Sequence, residues 1–178
     1  SELYNLAKKE EERNWIISGQ AIFSELLAKL SYDFDSLSDE LIEKLVKYTN
    51  CLQGGFFLLD KEKDALFLNS VYAYDRKKYI NKQITIGEGL VGQVWQERHT
   101  TYIENIPTEH VFIKSGLGEA QPRSLLIVPL IDSEVLYGVV ELASFNKFKP
   151  YEIEFVEKIC QSIATTLASV RVNEQTQK

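Results

Sequence analysis

The spacing of apolar residues changes period several times along the chain, and each change marks an element. Ile16, Gln20, Phe23, Leu27 and Leu30 recur at intervals of four and three, which predicts a helix over residues 2–30. Its first half, Ala7 to Asn14, mixes both charge signs and is too polar for a core, as suits a solvated connecting helix. A Ser- and Asp-rich break follows at Ser31–Ser38, where Ser36 or Ser38 can cap a second helix buried through Leu41, Ile42, Leu45 and Val46. From Cys51 the period becomes that of strands. Cys51–Leu59 and Leu66–Tyr74 flank the polar run Asp60–Asp64 and predict a β-hairpin.

The middle of the chain is more broken. Ile84–Ile86 is a short extended piece, Leu90, Val91, Val94 and Trp95 make one face of a short helix ending near His99, and Thr101–Ile103 is a brief strand. Pro107–Arg123 shows little regular pattern, and irregular stretches of that length in compact domains are often functional. Leu125–Ile131 and Val135–Ser144 are almost wholly apolar, which predicts a central hairpin covered on both faces and turning at Asp132-Ser133-Glu134. Pro150 opens a last helix. In it Ile153, Val156, Cys160, Ile163, Leu167, Val170 and Glu174 recur at 3-4-3-4-3-4, a heptad seam.

Composition narrows the function classes. At 178 residues and 44% hydrophobic, the chain is long enough for one domain with flanking elements. Its net charge of −6 lacks the basic stripe of a nucleic-acid binder, and no apolar run is long enough to span a membrane. Two cysteines, Cys51 and Cys160, cannot form a disulfide framework and point to a reducing, cytoplasmic setting. The chain contains no Met, which fits a piece of a longer protein.

Candidate chemistry is sparse. Gly87-Glu88-Gly89-Leu90-Val91-Gly92 matches the dinucleotide fingerprint G-x-G-x-x-G, yet residues 84–103 hold strand, helix and next strand in a span too short for the ~30-residue βαβ unit. These glycines are read instead as a tight strand-to-helix turn. His99 and His110 have no neighbours at metal-ligand spacing. The aromatic set Phe56, Phe57, Phe67, Tyr72, Tyr74, Trp95 and Phe112 fits either a core or the wall of a small-molecule pocket. Glu141 interrupts the apolar strand Val139–Ala143 and shares a face with both of those residues. A carboxylate there needs a ligand or a structural partner such as Arg123.

Together, Phe56–Asp60, Gly87–Trp95, Tyr102–Ile106, Ser124–Pro129 and Gly138–Leu142 give the chain a resemblance to the GAF domain family over residues 36–170. The resemblance implies an α+β fold: a central antiparallel sheet of about six strands, the terminal helices on one face, and a ligand pocket under loops and short helices on the other. It divides the chain into a signalling helix (1–35), a GAF core (36–148) and a helix leading to an output domain (149–178). It implies a non-catalytic sensor of a two-component or similar signalling protein, parallel-dimeric through its end helices, with no nucleic-acid or membrane contact. A structural dimerisation spacer with a self-filled pocket is the alternative. The implied pocket residues are Gly55, Phe57, Tyr72, Tyr74, Phe112, Ile113, Leu117 and Glu141, with Thr108–Gln121 as a lid. No cofactor or ligand is identified. The bilin-attachment and methionine-sulfoxide-reductase cysteine patterns are missing, and Asn146-Lys147-Phe148 followed by Glu152 is only a compressed match to the cyclic-nucleotide signature, with a Lys147–Glu152 contact as its structural remnant.

Overall fold

The computed structural model describes residues 1–29, 34–72, 83–106, 113–115, 118–120 and 122–177. Helix α1 (Glu2–Ala28) starts at Ser1, whose hydroxyl caps the Tyr4 amide at 3.1 Å. Helix α2 (Asp35–Tyr48) begins earlier than the Ser-rich break predicts. Ser38 is not its cap: it lies inside the first turn, its hydroxyl donating to the Asp35 carbonyl at 3.2 Å and accepting from Asn69 Nδ2 at 3.0 Å.

Strands β1 (Gln53–Asp60) and β2 (Ala65–Tyr72) form the predicted first hairpin. They are followed by β3 (Gln83–Ile84), α3 (Gly89–Glu97) and β4 (Thr101–Ile103). Within the stretch expected to lack regular structure, β5 (Ile113–Ser115) and β6 (Gly118–Ala120) pair antiparallel. Strands of three residues are shorter than a hydrophobic period can reveal. The second hairpin joins β7 (Ser124–Asp132) to β8 (Val135–Ser144). Its turn residues Ser133 and Glu134 have φ of 49° and 68°, the double left-handed geometry that matches strand twist. Helix α4 (Pro150–Gln177) completes the chain.

One six-stranded sheet runs in the order β3-β2-β1-β8-β7-β4, with antiparallel pairing throughout. Helices α1, α2 and α4 cover one face, packing Phe23, Leu41, Ile42, Phe155, Ile163 and their neighbours onto Phe56, Leu126, Val128, Val140 and Leu142. Helix α3 lies on the other. The expected fold class is therefore the observed one.

The heptad seam of α4 has a different use from the one expected. Val156, Cys160, Ile163, Leu167 and Val170 are all buried in the chain's own core. A sheet face consumes the same 3-4 stripe that a coiled coil would, and from Val156 to Val170 the stripe lies in the chain's own core.

Candidate functional site

The candidate site is the sheet face that carries α3. Three glycines set the entry to that helix. Gly87 and Gly89 have φ of 80° and 62°, and a Cβ on Gly92 would sit 2.7 Å from the Thr85 carbonyl oxygen. Glu88 folds back rather than capping the helix, its carboxylate accepting from the Thr85 amide at 2.8 Å and the Thr85 hydroxyl at 3.0 Å. The G-x-G-x-x-G run is thus a turn, as its spacing predicts. Helix α3 then buries Val91, Val94 and Trp95 against Phe57, Leu66, Ile127, Leu136 and Val139.

Beside that cluster sits a second, smaller one: Leu125 and Ala143, with Leu52, Leu90 and Ile106 against them. Glu141 stands between the two. On β8 its neighbours on the same face are Val139, in the first cluster, and Ala143, in the second. Across the sheet it faces Gly55 on β1 and Ile127 on β7. It is half-buried. Gly55 offers no side chain there, and a Cβ added to it would point to Leu68 Cδ1 at 3.0 Å. The row Gly55–Glu141–Ile127 therefore places a carboxylate on an otherwise apolar floor. Arg123, the structural partner considered from sequence, is opposite Phe145 by the strand register, four positions along from Glu141, or roughly 13 Å at the rise of a strand.

Gly55, Phe57 and Glu141 thus share this face. Tyr72 does not. It pairs with Gly54, whose Cβ direction meets Leu142, Val46 and Ile42 under the helices, and the Lys47 ammonium lies 5.7 Å from its ring centre. The cause is a β-bulge: Phe56 pairs with Ser70 but Phe57 with Leu68, so Asn69 is extra and every residue after it changes face. Simple alternation from Leu66 would put Tyr72 with Leu68, so the sequence reading of Tyr72 as a pocket residue is corrected. Tyr74, Phe112 and Leu117 lie outside the described residues, as does most of the proposed lid. Ile113 opens β5. Leu125, Ile127, Leu68 and Leu90, which the sequence reading did not place in the pocket, belong to the same face. The pairing of β7 with β8 opposite Glu141 was the signal that could have found Leu125 and Ile127.

The compressed cyclic-nucleotide signature falls elsewhere. Asn146, Lys147 and Phe148 line an open cleft of about 440 Å³ with Thr49, Asn50 and Ser144, and Phe148 packs into the helix-covered core. Lys147 meets Glu104 at 3.7 Å rather than Glu152, whose carboxylate accepts from the Lys149 amide at 2.8 Å. The Tyr102 hydroxyl ties this corner together, accepting from the Phe148 amide at 3.0 Å and donating to Glu104 at 3.1 Å.

Burial pushes the Cys51 thiol up to about 12 and the Cys160 thiol further in the same direction, so both are held as thiols rather than thiolates near neutral pH. Among the described residues no cluster of His, Cys, Asp and Glu has metal-binding geometry, and no helix is long and apolar enough to cross a membrane.

A six-stranded antiparallel sheet with the terminal helices on one face and a short glycine-entered helix on the other defines an α+β class of domain. The GAF domain family model matches residues 31–168, and the chain belongs to that family. No curated relative matches the chain. The chain is similar to the GAF domain of a phosphoenolpyruvate-protein phosphotransferase from Coxiella burnetii, with TM-score 0.76 and 15% identity over 90% of this chain and 96% of that one. It is similar to the free methionine-R-sulfoxide reductase of Neisseria meningitidis in complex with its substrate, with TM-score 0.69 and 18% identity over 91% of each chain. An A. aeolicus GAF domain in an inactive state matches with TM-score 0.64 and 21% identity over 92% of this chain and 99% of that one. The reductases overturn one expectation. Enzymes are built on this fold, so the reading of the chain as a non-enzyme is not sustained.

Proposed function

We propose that this GAF domain binds a small molecule on the α3 face and passes the bound state through α1 and α4 to an output domain of a larger signalling protein in the cytoplasm. The observation that carries the reading is Glu141. It is a half-buried carboxylate at the centre of the sheet, between two apolar clusters and opposite a glycine. A carboxylate at the edge of two apolar clusters gives a bound molecule one polar point on which to orient. A ligand with an apolar body and a cationic or hydrogen-bond-donating group suits that arrangement. The ligand shifts a two-state equilibrium only as far as it binds one state better.

Native mass spectrometry of the intact protein tests this. The expected result is a small-molecule adduct that Glu141→Gln loses or weakens by about tenfold or more, since hydrogen bonds to a charged group contribute about 1.5–3 kcal/mol. A Glu141→Gln protein that holds the adduct as tightly as the parent overturns the role of Glu141. A parent protein that carries no adduct after gentle isolation from cells favours the spacer reading, in which Trp95 and its neighbours on α3 are the filling of the pocket.

A further inference from the structure

The first half of α1 stands away from the rest of the molecule. Trp15 packs on Tyr151, ring centres 5.4 Å apart, and Gly19 and Phe23 lie against Phe155. The two helices run the same way, and α4 begins level with Trp15. Residues 1–11, 13 and 14 are all exposed and Glu12 is half-buried. This arm is roughly 20 Å of helix at 1.5 Å per residue, and an isolated helix of that length is marginal in water.

The arm carries a seam of its own. Leu3, Leu6, Glu10, Arg13 and Ile17 recur at 3-4-3-4 on the side of α1 turned away from Gly19 and Phe23. Leu3, Leu6 and Ile17 are 81%, 63% and 56% exposed. The two charged residues at its centre decide what fits. A parallel, in-register pair would set Glu10 against Glu10 and Arg13 against Arg13. An antiparallel pair sets Glu10 of each copy against Arg13 of the other, with Leu6 against Ile17 on either side. We infer that α1 pairs antiparallel with α1 of a second copy of this chain, Leu6 packing on Ile17 and Glu10 meeting Arg13 across the two-fold axis.

Sedimentation equilibrium over a range of concentrations tests the pairing. Because the side chains are exposed in the monomer, their replacement leaves the fold intact, which circular dichroism checks. The parent protein is expected to dimerise. Glu10→Arg or Arg13→Glu alone sets like charges together and is expected to weaken the dimer by about tenfold or more. The double variant restores the opposite-charge pairs and the affinity, whereas in a parallel pair it would leave like charges facing as before. Orientation is read independently by cross-linking. Leu6→Cys mixed with Ile17→Cys should couple, and Leu6→Cys alone should not couple to itself. A protein that stays monomeric, a dimer indifferent to both single charge changes, a double variant as weak as the singles, or self-coupling of Leu6→Cys each overturns the inference.

Discussion

Three helices meet at Gly19. A Cβ there would lie 2.5 Å from Phe155 Cζ and 2.6 Å from Tyr48 Cε2. The Tyr48 hydroxyl enters the helical ladder beside it, donating to the Trp15 carbonyl while the Gly19 amide is its backbone partner. Trp15 stacks on Tyr48 with centres 4.9 Å apart and leans on Phe155 at 4.7 Å. Gly19→Ala is therefore expected to destabilise the protein by about 1–3 kcal/mol, despite the better helix propensity of Ala, because the rings have little room to retreat. Tyr48→Phe keeps the ring stack and removes one hydroxyl, so a loss of about 1 kcal/mol is expected. Urea denaturation of both variants checks the order. Cys51 gives a pH-dependent counterpart. Burial first of all, then the Glu152 carboxylate, raise its pKa from an ordinary 9.0 to about 12, against opposing hydrogen bonds from Thr49 and Ser144. The folded state thus holds the proton where the unfolded chain releases it. The stability this contributes is fully present below pH 9.0 and is lost as pH rises toward about 12. Buried Cys160 acts in the same direction. Cys51→Ala should show a shallower fall in unfolding free energy between neutral and alkaline pH than the parent. Equal slopes would remove Cys51 from the account.

At the scale of elements, α4 shows how one pattern serves two architectures. Its 3-4 stripe satisfies a coiled coil and a sheet face equally, and only the sheet's presence beneath Val156, Ile163 and Leu167 decides between them. An Ile163→Lys, Leu167→Lys double change consequently places two ammonium groups in a core where the parent residues are 0% and 5% exposed. Unfolding, read as lost thermal cooperativity, is expected. The same ambiguity explains what else was legible. The two hairpins, α3 and the final helix follow directly from period changes and turn residues, because burial on a sheet or helix face acts on each residue in turn. Glu141 was legible because a charge in an apolar run breaks that rule. Tyr72 was misplaced because the bulge at Asn69 is set by pairing between β1 and β2, and neither strand alone encodes it. The pairing of β5 with β6 was invisible for a related reason: three residues a side carry no period, and the bonds that define them run between backbones.

For the whole molecule, charge and exposure are distributed so that the body is self-sufficient and the arm is not. The core gathers α2, α4 and the C-terminal half of α1 over the sheet, while residues 1–14 contribute no buried side chain to it. Among the described residues, the body's buried core therefore leaves the arm largely to its own helical ladder. If a second copy covers the seam, the arm's helicity depends on association, and association depends on concentration. Amide hydrogen exchange resolves the two halves of α1. Amides from Phe23 to Leu27 should be protected at every concentration, since they lie in the core that unfolds as a unit. Amides from Asn5 to Asn14 should exchange fast in dilute protein and slow as the protein is concentrated, and Leu6→Lys should abolish that dependence while leaving the core protected. A change in protection with concentration spread evenly along α1 would mean that the copies meet through the body. Slow exchange of the arm at every concentration would mean that α1 is stable alone, and the dimer would then have no part in ordering it.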